Sequence, residues 1–230
     1  AAVGAGVLWS VAFLHARICV AMGREFDHWP GEGESIPRPS EADYWLWFLG
    51  LRLGDVKLLG MIGSVFAMRQ AIRKAKSSGI GFAGLRNSCH FGAAGYYASL
   101  ASDEGMIGIA MCNDTPTVTV PGARGAVMGS NPIAYAAPAG EQSVLFDIAT
   151  STVAGGKVFA AAAAGESIPE GWIVDEQGQP ISDPSAFPTK ATLTPMAAHK
   201  GYGLAFLVEI LSGVLTGAAM TSNVLSYAYD

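Results

Sequence analysis

Charge is what this sequence has least of. Only 14% of its 230 residues are Asp, Glu, Lys or Arg, against about a quarter in an ordinary soluble domain. Fourteen Lys plus Arg stand against nineteen Asp plus Glu, a net charge of -5. The one basic cluster is the short set Arg69, Arg73, Lys74 and Lys76. A nucleic-acid partner needs a basic face, so that class of function is excluded. Half of the residues are hydrophobic and mean hydropathy is +0.33, which excludes a disordered chain. Cysteine is equally scarce: Cys19, Cys89 and Cys112 form no Cys-x-x-Cys pair and meet no His-x-x-x-His partner. They read as reduced thiols of a cytoplasmic protein, with no metal site. Two apolar stretches, Ala1 to Met22 and Tyr202 to Met220, have the length of a membrane span. His15 and Arg17 interrupt the first and Glu209 sits in the middle of the second, so neither predicts a membrane partner.

Several familiar motifs are missing as well. No strand is followed by Gly-x-Gly-x-x-Gly, and Gly156-Lys157 is followed by Val158, so both the Rossmann fingerprint and the phosphate-binding P-loop are absent. There is no Gly-x-Ser-x-Gly elbow either, which leaves hydrolase chemistry without support.

What the chain has is regular punctuation from Leu58 onward. Val65, Met68, Ile72 and Ala75 recur at spacings of 3, 4 and 3 within Ser64 to Ser78, opposite basic residues and ahead of Gly79. That pattern predicts an amphipathic helix stopped by glycine. Short apolar runs at 80–85 and 107–112 predict buried strands, and the stretch between them, 93–104, predicts a second helix. Residues 133–137 and 143–148 add two strands, 152–164 a helix, and 172–181 a hairpin turning at Gly178. In the helix from Gly201, Leu204, Leu207, Val208, Leu211 and Val214 mark one face and Ala205, Phe206 and Ile210 fill the others, which predicts burial on nearly all sides. Helices alternating with strands give an α/β class. Residues 1–57 differ: four of the five tryptophans lie there, and Tyr44 to Leu49 follows neither helical nor strand periodicity.

Four polar turns interrupt the apolar elements. His90 carries an imidazole suited to proton exchange near neutral pH, or simply hydrogen-bonds near a helix start. Asp147 closes a strand and can accept hydrogen bonds from ribose hydroxyls, or cap the helix that follows. His199-Lys200 precedes the Gly201 helix, where a cation and free backbone N–H groups should attract phosphate or carboxylate; a solvated helix start is the alternative. Ser130-Asn131-Pro132 offers a hydroxyl and an amide on a stiff turn, or is a plain β-turn.

These turns carry a resemblance. Arg86-Asn-Ser-Cys-His-Phe-Gly-Ala-Ala-Gly-Tyr-Tyr-Ala98, Gly129-Ser-Asn-Pro-Ile-Ala134, Asp147-Ile-Ala-Thr-Ser151 with Gly156-Lys157, Gly171-Trp172 through Asp183-Pro184, and His199-Lys-Gly-Tyr-Gly-Leu204 with Glu209 to Gly217 follow in that order. Together they resemble the malate/L-lactate dehydrogenase family distinct from the Rossmann enzymes, which includes ureidoglycolate and sulfolactate dehydrogenases and cyclic-imine reductases. The resemblance implies a three-layer α/β/α fold with an unusual mixed sheet, not a standard Rossmann fold, usually in a homodimer. It implies hydride transfer between NAD or NADP and a small 2-hydroxy or 2-keto acid. His90 corresponds to the active-site histidine; Phe91, Gly92, Asn113, Asp147, Ile148, Ala149, His199 and Lys200 to cofactor-binding positions; Ser130 to a substrate-binding threonine.

The chain departs from that family in one motif: no Ser-His-Gly occurs in it. The resemblance begins abruptly near Leu58. Residues 1–57 are therefore expected to be a divergent segment, frame-shifted or foreign, and residues 58–230 a C-terminally incomplete cofactor-binding domain. The alternatives are an inactive fragment or pseudoenzyme keeping part of the cofactor surface, and a cyclic-imine reductase.

Overall fold

The computed structural model describes residues 15–22, 60–88 and 90–224, with the side chains of 15–22 and residue 87 outside that description. The boundary expected near residue 57 therefore lies outside the described residues. Helix α1 covers Gly60–Ser78, longer at its start than the spacing predicts, and it ends at Gly79 with φ +78°. Its inward face is Gly60, Gly63, Ser64, Ala67, Met68, Ala71, Ile72 and Ala75, while Arg69, Arg73, Lys74 and Lys76 face solvent.

Five strands form the main sheet: β1 (His15–Met22), β2 (Ile80–Ser88), β3 (Ile107–Cys112), β4 (Ile133–Ala139) and β5 (Gln142–Ile148), in the spatial order β2-β1-β3-β4-β5. Each neighbouring pair is antiparallel, so the mixed sheet expected above is corrected: among the described residues no parallel pairing joins these strands. The physical reason is the placement of β1, which inserts between β2 and β3 and runs antiparallel to both. Helix α2 (Ala94–Asp103) connects β2 to β3.

Helices α1 and α2 lie close on one face of this sheet because the facing residues are small. An ideal Cβ on Gly81 would stand 1.8 Å from the Ala71 carbonyl oxygen, and one on Gly108 2.2 Å from that of Ala98. Glycine in the strands and alanine in the helices thus let backbone approach backbone. Ala110, Cys112, Ala134 and Ala136 are buried beneath them. The alternate residues of β3, Ile109 and Met111, meet Val208 and Leu211 instead.

A smaller sheet, β7-β6-β8, follows, built from β6 (Ile173–Asp175), β7 (Pro180–Ile181) and β8 (Ala191–Leu193). The predicted hairpin is β6–β7, with Gly178 at φ +81°. Helix α3 (Gly155–Ala164) packs Val158 into the core of this unit with Ile173, Phe187 and Leu193. Helix α4 (His199–Glu209) continues as a wider π-helical turn over Ile210–Val214. Here the expectation of burial on nearly all sides is corrected. Gly201, Ala205, Val208, Glu209, Ser212 and Gly213 face inward, whereas Leu204, Phe206, Leu207, Ile210, Val214 and Leu215 are exposed. Uniform apolarity marks no face, so small and polar residues could take the inner one.

Candidate active site

The ends of β2, β3 and β5 and the start of α3 surround one cavity of about 500 Å³, a size in which small molecules bind. Seven of the residues singled out by sequence line it: His90, Phe91, Gly92, Ser130, Asp147, Ile148 and Ala149. They come from three stretches more than fifteen residues apart, and the sheet order is what unites them.

Each stretch is held by identifiable bonds. After β2 the chain turns through Gly92 at φ +76°, and His90 is exposed at the rim. Phe91 is buried, its ring stacked on Tyr97 at 5.1 Å between centroids, and the Tyr97 hydroxyl donates to the Phe91 carbonyl. A buried hydroxyl needs that partner, and it pins the loop behind His90. At the end of β5, Asp147 Oδ2 accepts from the Gly95 N–H at 2.7 Å. Asp147 is thus a partner of the N-terminus of α2, not a cap on the helix that follows. One of its oxygens is used there, and a carboxylate has further acceptor capacity.

The third stretch is a knot around Ser130. Its hydroxyl donates to Asp114 Oδ2 at 3.2 Å, and its carbonyl accepts from both the N–H and the hydroxyl of Thr150, at 2.9 and 3.0 Å. Asp114 Oδ1 accepts from the Thr115 N–H at 2.8 Å. Asp114 lines the cavity as well, a residue that sequence reasoning passed over. The signal was present: Asn113-Asp114 is a polar pair at the end of an apolar strand, the same feature that singled out His90 and Asp147.

Phe159 and Phe187, 5.1 Å apart between ring centroids, form an apolar wall that was also missed. Phe187 lies 3.5 Å from where a Cβ on Gly155 would be, an ordinary packing distance, so the ring lies directly over the start of α3. Gly155 and Gly156 open α3 toward the cavity, and the helix has no side-chain cap. An uncapped N-terminus lined by glycine favours an anion.

Three expected cofactor residues stand elsewhere. Asn113 is fully buried behind the cavity wall, donating to Glu209 and to the Ala219 carbonyl. His199 and Lys200 form the first turn of α4 and are not among the cavity-lining residues. The free N–H groups expected there are corrected: those of Lys200, Gly201 and Tyr202 bond to the carbonyls of Ala197, Met196 and Ala198. The reason is the preceding turn, where Ala197 and Ala198 both take positive φ and fold the chain back on the helix start. Among the described residues no group of three or more His, Cys, Asp or Glu could hold a metal ion, and no helix is long and apolar enough to cross a membrane. The Cys112 thiol is buried and donates to the Asn113 carbonyl at 2.7 Å.

A sequence model of malate/L-lactate dehydrogenase matches residues 55–230. The chain belongs to that family. It is 44% identical over 167 residues to the malate/(S)-sulfolactate dehydrogenase of Methanothermus fervidus, covering 73% of this chain and 49% of that protein. It is 39% identical over 172 residues to the NAD(+) ureidoglycolate dehydrogenase of Escherichia coli O157:H7, covering 74% of this chain and 48% of the relative. The crystal structure of malate dehydrogenase from Entamoeba histolytica superposes with a TM-score of 0.69 at 36% identity, over 71% of this chain and 49% of that one. The chain therefore spans about half the length of the family members it matches. All five blocks that carried the resemblance fall within the matched residues, which begin three positions before Leu58.

Proposed function

We propose that this chain carries the cofactor-binding side of an oxidoreductase that moves a hydride between NAD or NADP and a small 2-hydroxy or 2-keto acid of the malate or lactate kind. The observation that carries the reading is the gathering of His90, Ser130 and Asp147, from three separate stretches, around one cavity. The residues suit a nicotinamide nucleotide: an acceptor for hydroxyls in Asp147, an uncapped glycine-lined helix start for a pyrophosphate, and aromatic walls in Phe91, Phe159 and Phe187 for a flat ring. When bound, the cofactor supplies or accepts the hydride.

The chain's own residues have the remaining work. His90 exchanges the hydroxyl proton of the substrate, from a rim position open to solvent. Ser130 holds a substrate oxygen with its hydroxyl, exchanging its present bond to Asp114 for one to the ligand. Phe91 and Gly92 shape the loop behind His90, and Ile148 and Ala149 line the wall beside Asp147. We assign the chain a three-layer α/β/α arrangement, on the packing of successive β3 residues against α1 and α2 or against α4, in a cytoplasmic homodimer.

The test is titration of the full chain with NADH and NADPH, followed by nicotinamide absorbance with a panel of 2-keto acids. We expect saturable binding, and turnover that falls by about 10²–10⁴ in His90→Ala with cofactor affinity retained. Binding without turnover in the wild type would identify a chain that keeps the cofactor surface alone. Absence of binding by folded protein would overturn the reading.

A further inference from the structure

Glu209 has no part in the chemistry above, yet it is fully buried. A carboxyl is a costly way to fill a core, because burial opposes its charge. Its surroundings show what it holds. Asn113 Nδ2 donates to Glu209 Oε2 at 3.2 Å, Asn131 Nδ2 donates to Oε1 at 3.3 Å, and the backbone N–H of Thr221 donates as well. Each asparagine amide is further fixed on the backbone around α4, Asn131 on the Ala205 carbonyl and Asn113 on that of Ala219, both at 2.9 Å.

The two asparagines are the residues next to the cavity. Asn113 precedes Asp114, and Asn131 follows Ser130. Asn131 Oδ1 also accepts from the Asp114 N–H at 3.0 Å, so its amide can point only one way. Its φ of +33° is a conformation that asparagine adopts at a cost, and the side-chain bonds hold it there. Through Asn131 the grip reaches Ser130, and through the Ser130 carbonyl it reaches Thr150, just past Asp147 to Ala149. Burial pushes the Glu209 carboxyl above its ordinary range, against the three donors that favour the charged form, so this carboxyl is ill explained as a stabilising element alone.

We infer that Glu209 is a positioning residue for the cavity: by gripping Asn113 and Asn131 it fixes Asp114 and Ser130, and through the Ser130 carbonyl and Thr150 the Asp147–Ala149 wall, and thereby sets the affinity for a nicotinamide nucleotide. The affinity half rests on the function proposed above; the grip itself does not.

The experiment compares Glu209→Gln with Val208→Ala in the full chain. Gln keeps the shape but turns an N–H donor toward one of the two amide donors, and one grip is lost. Val208 is equally buried on the same helix, clusters with Met111 and has no polar side-chain group with which to hold the asparagines, so it reports on stability alone. Amide hydrogen exchange by NMR should accelerate about tenfold at Asp114 and Thr150 relative to β3 in Glu209→Gln, a difference of about 1.4 kcal/mol. The Kd for NADH, read by its fluorescence, should rise by about tenfold. Val208→Ala should lower Tm and leave both readouts unchanged. If Glu209→Gln does not fold, Asn131→Gly keeps the positive φ, removes the grip and should give the same pair of changes. Equal exchange in the two variants would overturn the grip, and loosened loops with an unchanged Kd would overturn the link to affinity. A wild type that binds neither NADH nor NADPH refutes the cofactor reading and the affinity half with it, and the exchange data then decide the grip.

Discussion

The two faces of the main sheet are closed in opposite ways. On one, α1 and α2 press Ala71, Ala75, Ala98 and Ala101 against strands whose glycines leave no room for a side chain. On the other, Met111 and Val208 are the buried apolar pair, and α4 with the π-helical turn after it turns small and polar residues inward while six large apolar ones, from Leu204 to Leu215, face solvent. Both faces are built from apolar sequence. Close packing therefore depends on where the small residues fall, and an apolar helix with its small residues inward presents a patch of the kind that marks an interaction surface.

Gly→Ala substitution breaks this contrast most directly. At Gly81 or Gly108 the added methyl meets a helix carbonyl at 1.8 or 2.2 Å, so helix and strand must part. We expect a loss of about 4 kcal/mol or more, read by urea unfolding, because the obstacle is backbone and no rotamer relieves it. Tyr97→Phe, on the same face, should cost about 1 kcal/mol by removing the hydrogen bond to the Phe91 carbonyl, and should loosen the loop that carries His90. At Gly203 in α4 a Cβ would meet nothing within 4 Å. Gly203→Ala should therefore stabilise by about 0.5–1 kcal/mol, the ordinary gain of alanine in a helix. A loss there would mean that something covers the exposed face of α4 in solution.

The same contrast explains which features could be read from the residues. The end of α1 and the turn of the β6–β7 hairpin were legible because Gly79 and Gly178 mark them, and each takes positive φ. The strand 107–112 was legible because a short apolar run between turns has few other uses. The exposed side of α4 was not, since Leu204 and Val208 look alike in a sequence and differ only in what lies opposite. Strand order was hidden too, because β1 comes from the apolar stretch Ala1 to Met22, in which no strand was marked out to pair with β2 or β3. In the site, His90, Ser130 and Asp147 stood out as polar residues in turns on apolar strands. Asp114 carried the same signal and was passed over; Phe159 and Phe187 carried none, because an aromatic wall and an aromatic core are written with the same residues. The turn at Ala197 and Ala198, which occupies the N–H groups of α4, depends on positive φ at two alanines, which no composition announces.

The smallest expected effect lies on the closed face. Lys76, near the end of α1, donates to Glu104 Oε2 at 2.8 Å just past α2, with both side chains about half exposed. That bond and the lysine charge hold the Glu104 carboxyl below its ordinary value of 4.5. The folded state therefore binds the proton less tightly than the unfolded one, so the contribution is present above about pH 4.5 and is lost as pH falls through the lowered value. Lys76→Ala should lower Tm by about a degree or less at neutral pH, and by nothing measurable in acid or at high salt. Set against the glycine substitutions a few residues away, this would show that α1 and α2 are held by close approach and hardly at all by the charges at their ends. A large shift from Lys76→Ala would reverse that ranking and make the ion pair, not the glycines, what closes this face.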